Sequence, residues 1–254
     1  MEGPITLNPQ PSRSRAVAFT AYDRPGYLRE SLESWRKVRG MNRWYFYLTV
    51  DPSGETQEVV DLFTQFARDM RLPDCVVKVN PRRYGVLHHP WASFDHLFSN
   101  LGVDQVLRAE DDLLVSDDIL EMFEWIDNTY SEDTRVASGH SYSGALEGDP
   151  RIISKSTRFE SLNWCTWRDR WNDFMRDTWD HDYSTFNGVP GRESGWDWNL
   201  NTRIYPKFGL QAVRPQLSRT QNIGLQGTHS TPQNFSQSPS FREEYGVVSY
   251  AEGR

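Results

Sequence analysis

The stretch Asp104–Leu113 reads DQVLRAEDDL, a run (Asp104–Ala109) that leads into three consecutive acids, Glu110, Asp111 and Asp112. Three apolar-rich runs precede it: Ala16–Tyr22 (AVAFTAY), Trp44–Val50 (WYFYLTV) and Val76–Val79. Short, nearly continuous apolar runs suit strands buried on both faces. Between them Leu28, Leu32, Trp35 and Val38, then Val59, Val60, Phe63, Phe66 and Ala67, recur at helical spacing, and a further helix is expected around Ala92–Ser99. Turn chemistry ends the first two runs, at Asp23-Arg24-Pro25-Gly26 and Asp51-Pro52-Ser53-Gly54. Strands alternating with helices imply βαβ crossovers and a mostly parallel sheet, an α/β fold. Ligands of such sheets sit outside the carboxyl ends of the strands. Asp23, Arg24, Asp51 and Glu110–Asp112 all fall there and are the first candidates for chemistry.

The length of the chain allows one large domain or two small ones. It has 254 residues, 28 Lys+Arg against 35 Asp+Glu (net −7), and 13 % aromatics, which bury large areas per residue. The net charge gives no global reason to bind nucleic acid or anionic lipid. Cys75 and Cys165 lack zinc-site spacing and allow one bridge at most, which argues against a disulfide scaffold. No apolar run reaches the roughly 18 residues of a membrane span, and Met1–Ser14 lacks a signal peptide's apolar centre. A cytoplasmic protein of bacterial or viral origin, with no membrane partner, is expected. Short strands are expected at Val136–Gly139 and Ile152–Ser154 and a helix over Trp164–Asp177. Residues 1–14 and 236–254 read as flexible termini.

Three acids at the end of a buried strand repel one another and need a compensating cation, either a metal ion or Lys/Arg. Hard ions such as Mg²⁺ or Mn²⁺ take one or two carboxylates plus water and substrate phosphates. The alternative is a solvated turn that caps the following helix, with Asp117 and Asp118 adding to its acidic start. No GxxxxGK[ST] or GxGxxG is present, so no glycine-rich loop cradles phosphate.

The segment Glu110-Asp111-Asp112-Leu113, with Asp118, Phe123 and Trp125 after it, resembles the EDD variant of the DXD motif of GT-A glycosyltransferases, closest to the N-acetylglucosaminyltransferase I group, family 13. The pieces VAFTAYDRPGYLRESLESW, LTVD at 48–51, SLNWCTWRDRWNDF at 161–174, GWDW at 195–198, RPQLSR at 214–219, Gly224 and GTHS at 227–230 fall in the same order. The resemblance implies a single GT-A domain over 15–235: a nucleotide-sugar half (15–112), an acceptor half (113–217) and a donor-closing loop (218–235). It implies a nucleoside-diphosphate sugar donor, a UDP-sugar first, with Mn²⁺ or Mg²⁺. Asp112 would be the metal ligand, Glu110 and Asp111 would contact ribose and sugar, Asp51 would read the base, and Arg24 would lie near the nucleotide or its phosphates. Asp197 would be the general base of an inverting transfer, and His229 or Ser230 would meet the diphosphate or metal. The chain departs from the family at Trp196, where a second acid is usual, and over Arg82–His89.

Several of these residues have a plainer reading. Arg24 can pair with Glu30 or Asp51, and Asp197 can serve the helix that begins beside it. Its flanking Trp196 and Trp198 form an apolar sleeve that would raise a carboxylate's pKa. Glu193 is the second candidate for the base. Trp164, Trp167, Trp171 and Phe174 fall on one helical face and read as core. Trp179, Trp196 and Trp198 break that spacing and are candidates to stack on a sugar or base. Arg168, Arg170 and Arg176, and Arg82, Arg83, His88 and His89, form two basic edges suited to a phosphate-bearing acceptor. The acceptor is a glycan, a small molecule or the hydroxymethylated bases of DNA. Other readings are a silent nucleotide-binding module and a metal-dependent nucleotidyltransferase, against which the Asp-Arg-Pro-Gly loop counts.

Overall fold

The computed structural model describes residues 5–6, 14–182, 195–225 and 237–253. Four parallel strands form its central block: β2 (Arg15–Ala21), β3 (Tyr45–Val50), β4 (Cys75–Val79) and β5 (Gln105–Glu110). Each begins and ends within one residue of its expected run. β1 (Ile5–Thr6) borders β4. The sheet continues beyond β5 through β9 (Trp164–Trp167), β7 (Val136–His140), β10 (Gln211–Pro215), β8 (Ile152–Ser156) and β12 (Ala251–Glu252). One sheet therefore runs without a break from the proposed nucleotide half into the proposed acceptor half.

Side chains alternate across a strand, and here both faces are buried. Val17 and Phe19 of β2 face a core built with α1 (Pro25–Trp35), α2 (Thr56–Asp69) and α4 (Ile119–Tyr130). Ala16 and Ala18 face a second core with α3 (Gly85–Asp95) and the tryptophan-rich segment. The small residues on that side leave room for Phe94, Trp164 and Trp171. Pro25 opens α1, where its missing N–H costs nothing and its fixed φ suits the first turn.

Register then places the site. Thr20 pairs with Thr49 on one side and Glu110 on the other, so the residues that follow leave the sheet at one edge. Asp111 and Asp112 form the turn into β6 (Leu113–Val115), which pairs antiparallel with β11 (Thr220–Asn222) and sets Asn222 opposite Leu113.

Three expectations are corrected. Trp164–Trp167 is a strand wedged between β5 and β7, so Trp164 and Trp167 face opposite cores rather than one helical stripe. The left-handed backbone of Asn163 (φ 44) turns the chain into it, and helical structure starts only at α5 (Arg168–Arg170). The third helix begins at Gly85, seven residues before the expected start, because its first amide groups are held by a carboxylate distant in sequence. Residues 237–253, read as part of a flexible end, are tied to the body: Ser238 Oγ donates to Ser143 O, Asp117 N to Glu243 O, and β12 pairs with β8. Among the described residues no helix is long and apolar enough to cross a membrane.

Candidate functional site

A cleft of about 270 Å³ opens at the carboxyl edge of β2, β3 and β5, close to the roughly 300 Å³ at which small-ligand sites begin. Arg24, Asp51, Glu110, Asp111 and Asp112 line it together, as their positions at strand ends predicted.

Arg24 does not pair with Glu30 or Asp51. Its Nη2 donates to Asp111 Oδ1 at 2.5 Å and its Nη1 to Asp112 Oδ2 at 2.7 Å. Burial works against the guanidinium charge, but Asp111 and Asp112 outweigh it and raise its pKa. Arg108, two residues before the triple in β5, donates to Glu110 Oε1 at 2.5 Å and to Ser161 O at 3.3 Å. Burial nevertheless pushes Asp111 up to about 7 against the pull of Arg24, and it raises Glu110 against Arg108. Five carboxylates (Asp23, Asp51, Glu110, Asp111, Asp112) face three guanidiniums (Arg24, Arg83, Arg108) in the cleft wall. His89 adds no charge near neutrality, because burial lowers its pKa to about 4 despite the nearby Asp51. With every carboxylate ionised the cluster would be short of positive charge, and the upward shifts of Asp111 and Glu110 are in keeping with that shortage.

Asp51 is 1 % exposed and already engaged. Its Oδ2 accepts the amide hydrogens of Tyr84 (2.9 Å) and Gly85 (2.7 Å), and its Oδ1 accepts from Asn80 Nδ2 (2.9 Å). It caps α3 from a distance, satisfying N–H groups that a helix start leaves orphaned. His89, on that helix, places Nε2 at 2.8 Å from Thr49 Oγ1 and Nδ1 at 3.6 Å from Asp51. Arg83 lies over the ring of Tyr22 at 4.2 Å, an arrangement worth about 0.5–1 kcal/mol where solvent reaches it.

The chain returns to the acids through β11. Ile223 N donates to Asp112 O at 2.9 Å, and Gly224 lies directly against the Asp112 carboxylate. Residues 226–236 lie outside the described residues, so His229 and Ser230 do too, as does Glu193.

Asp197 lies in the first turn of α6 (Trp196–Asn199), half-buried, and its Oδ1 accepts the Trp198 amide hydrogen at 2.9 Å. No tryptophan sleeve encloses it. Residues two apart on a helix point to nearly opposite sides, so Trp196 turns into the core (4 % exposed) while Trp198 faces solvent (38 %). Trp196 stacks on Trp179 at 4.7 Å and 10° and lies 5.8 Å from Trp164. Trp179 and Trp196 are therefore core rather than platforms open to a sugar. Their indole N–H groups donate to Leu87 O and Val86 O, fastening this segment to α3.

Sequence reasoning missed Arg108, the cleft roles of Arg83 and His89, and the Gly224 contact. Arg108 had a readable signal, an arginine between the apolar Leu107 and Ala109 of a strand expected to be buried. It is buried, and its guanidinium lies 5.1 Å over the Trp196 ring, joining Glu110 to the helix that carries Asp197.

No protein-family model matches the chain, and no curated protein matches its sequence. Solved structures do match its fold. A structure of S. aureus TarS, residues 1–349, is 12 % identical over 80 % of this chain and 58 % of that one, with a TM-score of 0.51. The mannosyltransferase PcManGT from Pyrobaculum calidifontis, solved with GDP-Man and Mn²⁺, is 14 % identical over 82 % of this chain and 56 % of that one, also with a TM-score of 0.51. The chain thus spans little more than half the length of either. Both neighbours are GT-A-type glycosyltransferases, and the mixed α/β fold with its mostly parallel sheet is the fold expected from the sequence.

Proposed function

We propose that the chain is an inverting glycosyltransferase that takes a nucleoside-diphosphate sugar, a UDP-sugar first, and holds its diphosphate at Asp112 through Mn²⁺ or Mg²⁺. The observation that carries this reading is the meeting of Arg24, Asp51 and Glu110–Asp112 at one sheet edge, with Gly224 against Asp112. The GT-A fold and the resemblance to family 13 support it. The mannosyltransferase neighbour, solved with GDP-Man and Mn²⁺, supports a nucleotide sugar and a metal.

The donor set suits a hard cation. Carboxylate oxygens are its preferred ligands, and the positive charge that the ionised cluster would lack favours one more cation. Among the described residues no group of three or more His, Cys, Asp or Glu side chains could hold a metal; Asp112 would hold it, with diphosphate oxygens and water as the further ligands such ions take. When bound, the divalent ion offsets charge building on the departing nucleoside diphosphate. The residues do the rest. Arg24 presents a planar fork suited to phosphate oxygens. Glu110 and Asp111 accept sugar and ribose hydroxyls, and Asp51 holds the wall beside the base through the amides it caps. By the resemblance to family 13, His229 or Ser230, five and six positions after Gly224 in the sequence, meets the diphosphate or metal. Asp197 takes the proton of the acceptor hydroxyl as it attacks, with Glu193 and Trp198 beside the acceptor. The acceptor is a glycan, a small molecule or a modified DNA base. Trp196 serves indirectly, by carrying the helix on which Asp197 stands.

A thermal-shift screen of nucleoside diphosphates and nucleotide sugars, with and without Mn²⁺, tests the reading. One nucleotide should raise the melting temperature in a Mn²⁺-dependent way, by mass action. If none does, the chain is not a nucleotide-sugar enzyme.

A further inference from the structure

We propose that Arg24, held by Asp111 and Asp112, competes with the divalent cation for Asp112, so that the cation enters only together with the diphosphate that draws Arg24 away. This rests on the donor and metal reading above and adds an order of assembly to it.

The geometry carries the proposal. One guanidinium spans two of the acids that line the cleft, at 2.5 Å to Asp111 Oδ1 and 2.7 Å to Asp112 Oδ2. Gly224 lies against the same Asp112 carboxylate. A cation arriving alone must therefore break a two-armed ion pair and strand the guanidinium beside its own positive charge. Breaking one partner out of a buried pair is strongly unfavourable. A diphosphate arriving alone meets the converse problem, because drawing Arg24 to its oxygens leaves two carboxylates uncompensated.

Together the two ligands complete an exchange. Asp112 passes to the cation, Asp111 to the sugar or ribose hydroxyls of the donor and the guanidinium to the phosphates, so no group is left without a partner. Arg24 is also the member able to move: its side chain is 28 % exposed against 5 % for Asp111 and 14 % for Asp112. By linkage, whatever factor the cation adds to nucleotide affinity, the nucleotide adds to cation affinity.

The test is Mn²⁺ alone, titrated into the full chain and followed by the electron paramagnetic resonance of the free ion. Wild type should bind weakly. Arg24→Gln should bind Mn²⁺ at least about tenfold tighter, since both carboxylates are released, and the added change Asp112→Asn should abolish the gain. Arg24→Lys should fall between, because an ammonium is a point charge without the two-armed fork; this variant decides the matter if Arg24→Gln does not fold. Arg24→Gln or Arg24→Lys binding Mn²⁺ no tighter than wild type overturns the proposal, as does a gain that survives Asp112→Asn. A second arm adds UDP or GDP to wild type. If neither strengthens Mn²⁺ binding, the donor reading fails, while the Mn²⁺-only comparison still decides the competition.

Discussion

Gly224 stands so close to Asp112 that a Cβ built on it would lie 2.8 Å from Cγ and nearer still to Oδ2, below the 3.0 Å that such contacts keep. Two segments separated by more than a hundred residues therefore meet at the last acid of the triple, and only glycine lets them. Gly224→Ala should displace the 222–225 segment or the carboxylate, at a cost of about 1–3 kcal/mol typical of overpacking. Urea unfolding reads the stability, and calorimetry should show weaker Mn²⁺-dependent nucleoside-diphosphate binding. Unchanged affinity would mean that this contact is incidental to the site.

The RPQLSR segment ends in Arg219, which is fully buried and donates from Nε to both oxygens of Asp118 at 2.9 Å. Ser116 Oγ and the Tyr250 hydroxyl donate to the same carboxylate, and the Tyr245 ring lies 3.9 Å from the guanidinium. Asp118 is thus a buried anchor rather than an exposed helix-capping acid. Asp118→Asn should cost about 3–5 kcal/mol, because it strands a buried charge. Denaturant midpoints measure this, and nucleotide affinity of the folded protein should stay at the wild-type value.

His140 supplies a pH dependence. It is fully buried, its Nδ1 has no hydrogen-bond partner among the described residues, and burial lowers its pKa from 6.5 to about 3. Between those values the unfolded chain holds a proton that the folded chain does not, so its contribution is present above about 6.5 and lost as pH falls toward 3. His89, lowered to about 4, acts in the same direction. Asp111, raised from 3.8 to about 7, opposes them, since the folded state keeps the extra proton. His140→Gln should make the loss of stability between pH 6 and 4.5 shallower by about 1.4 kcal/mol per pH unit. Guanidinium unfolding at several pH values checks it; an unaltered slope would place the titration elsewhere.

Asp197→Asn keeps the shape of the first turn of α6 but removes a proton acceptor. Transfer to an acceptor should fall by about 10²–10⁴-fold, the usual share of a general base, with nucleotide binding within a factor of two. Turnover near wild type would assign the base to another group, Glu193 first.

Much of the fold was legible because its strands are buried on both faces. AVAFTAY and WYFYLTV are apolar almost throughout, too short for a helix of ordinary length and closed by turn residues, which favours strands. Their shared edge followed from parallel pairing alone, which is why Arg24, Asp51 and Glu110–Asp112 could be grouped before any coordinates. What stayed hidden depends on partners distant in sequence. The start of α3 needs Asp51, more than thirty residues earlier, to hold its amides. Trp164 and Trp167 match a helical period by coincidence, and the neighbours β5 and β7 decide that they form a strand. Arg24 had several acids within reach along the chain, and only the β2–β5 register selects Asp111 and Asp112.

The central claim is that Asp112 binds a nucleoside diphosphate through a divalent cation. Isothermal titration of UDP and GDP into wild type and Asp112→Asn, each with Mn²⁺ and with a chelator, tests it most directly. One nucleotide should bind wild type in Mn²⁺, and either the chelator or Asp112→Asn should weaken that binding at least about tenfold. Equal affinity in Asp112→Asn, or in the chelator, would contradict the account.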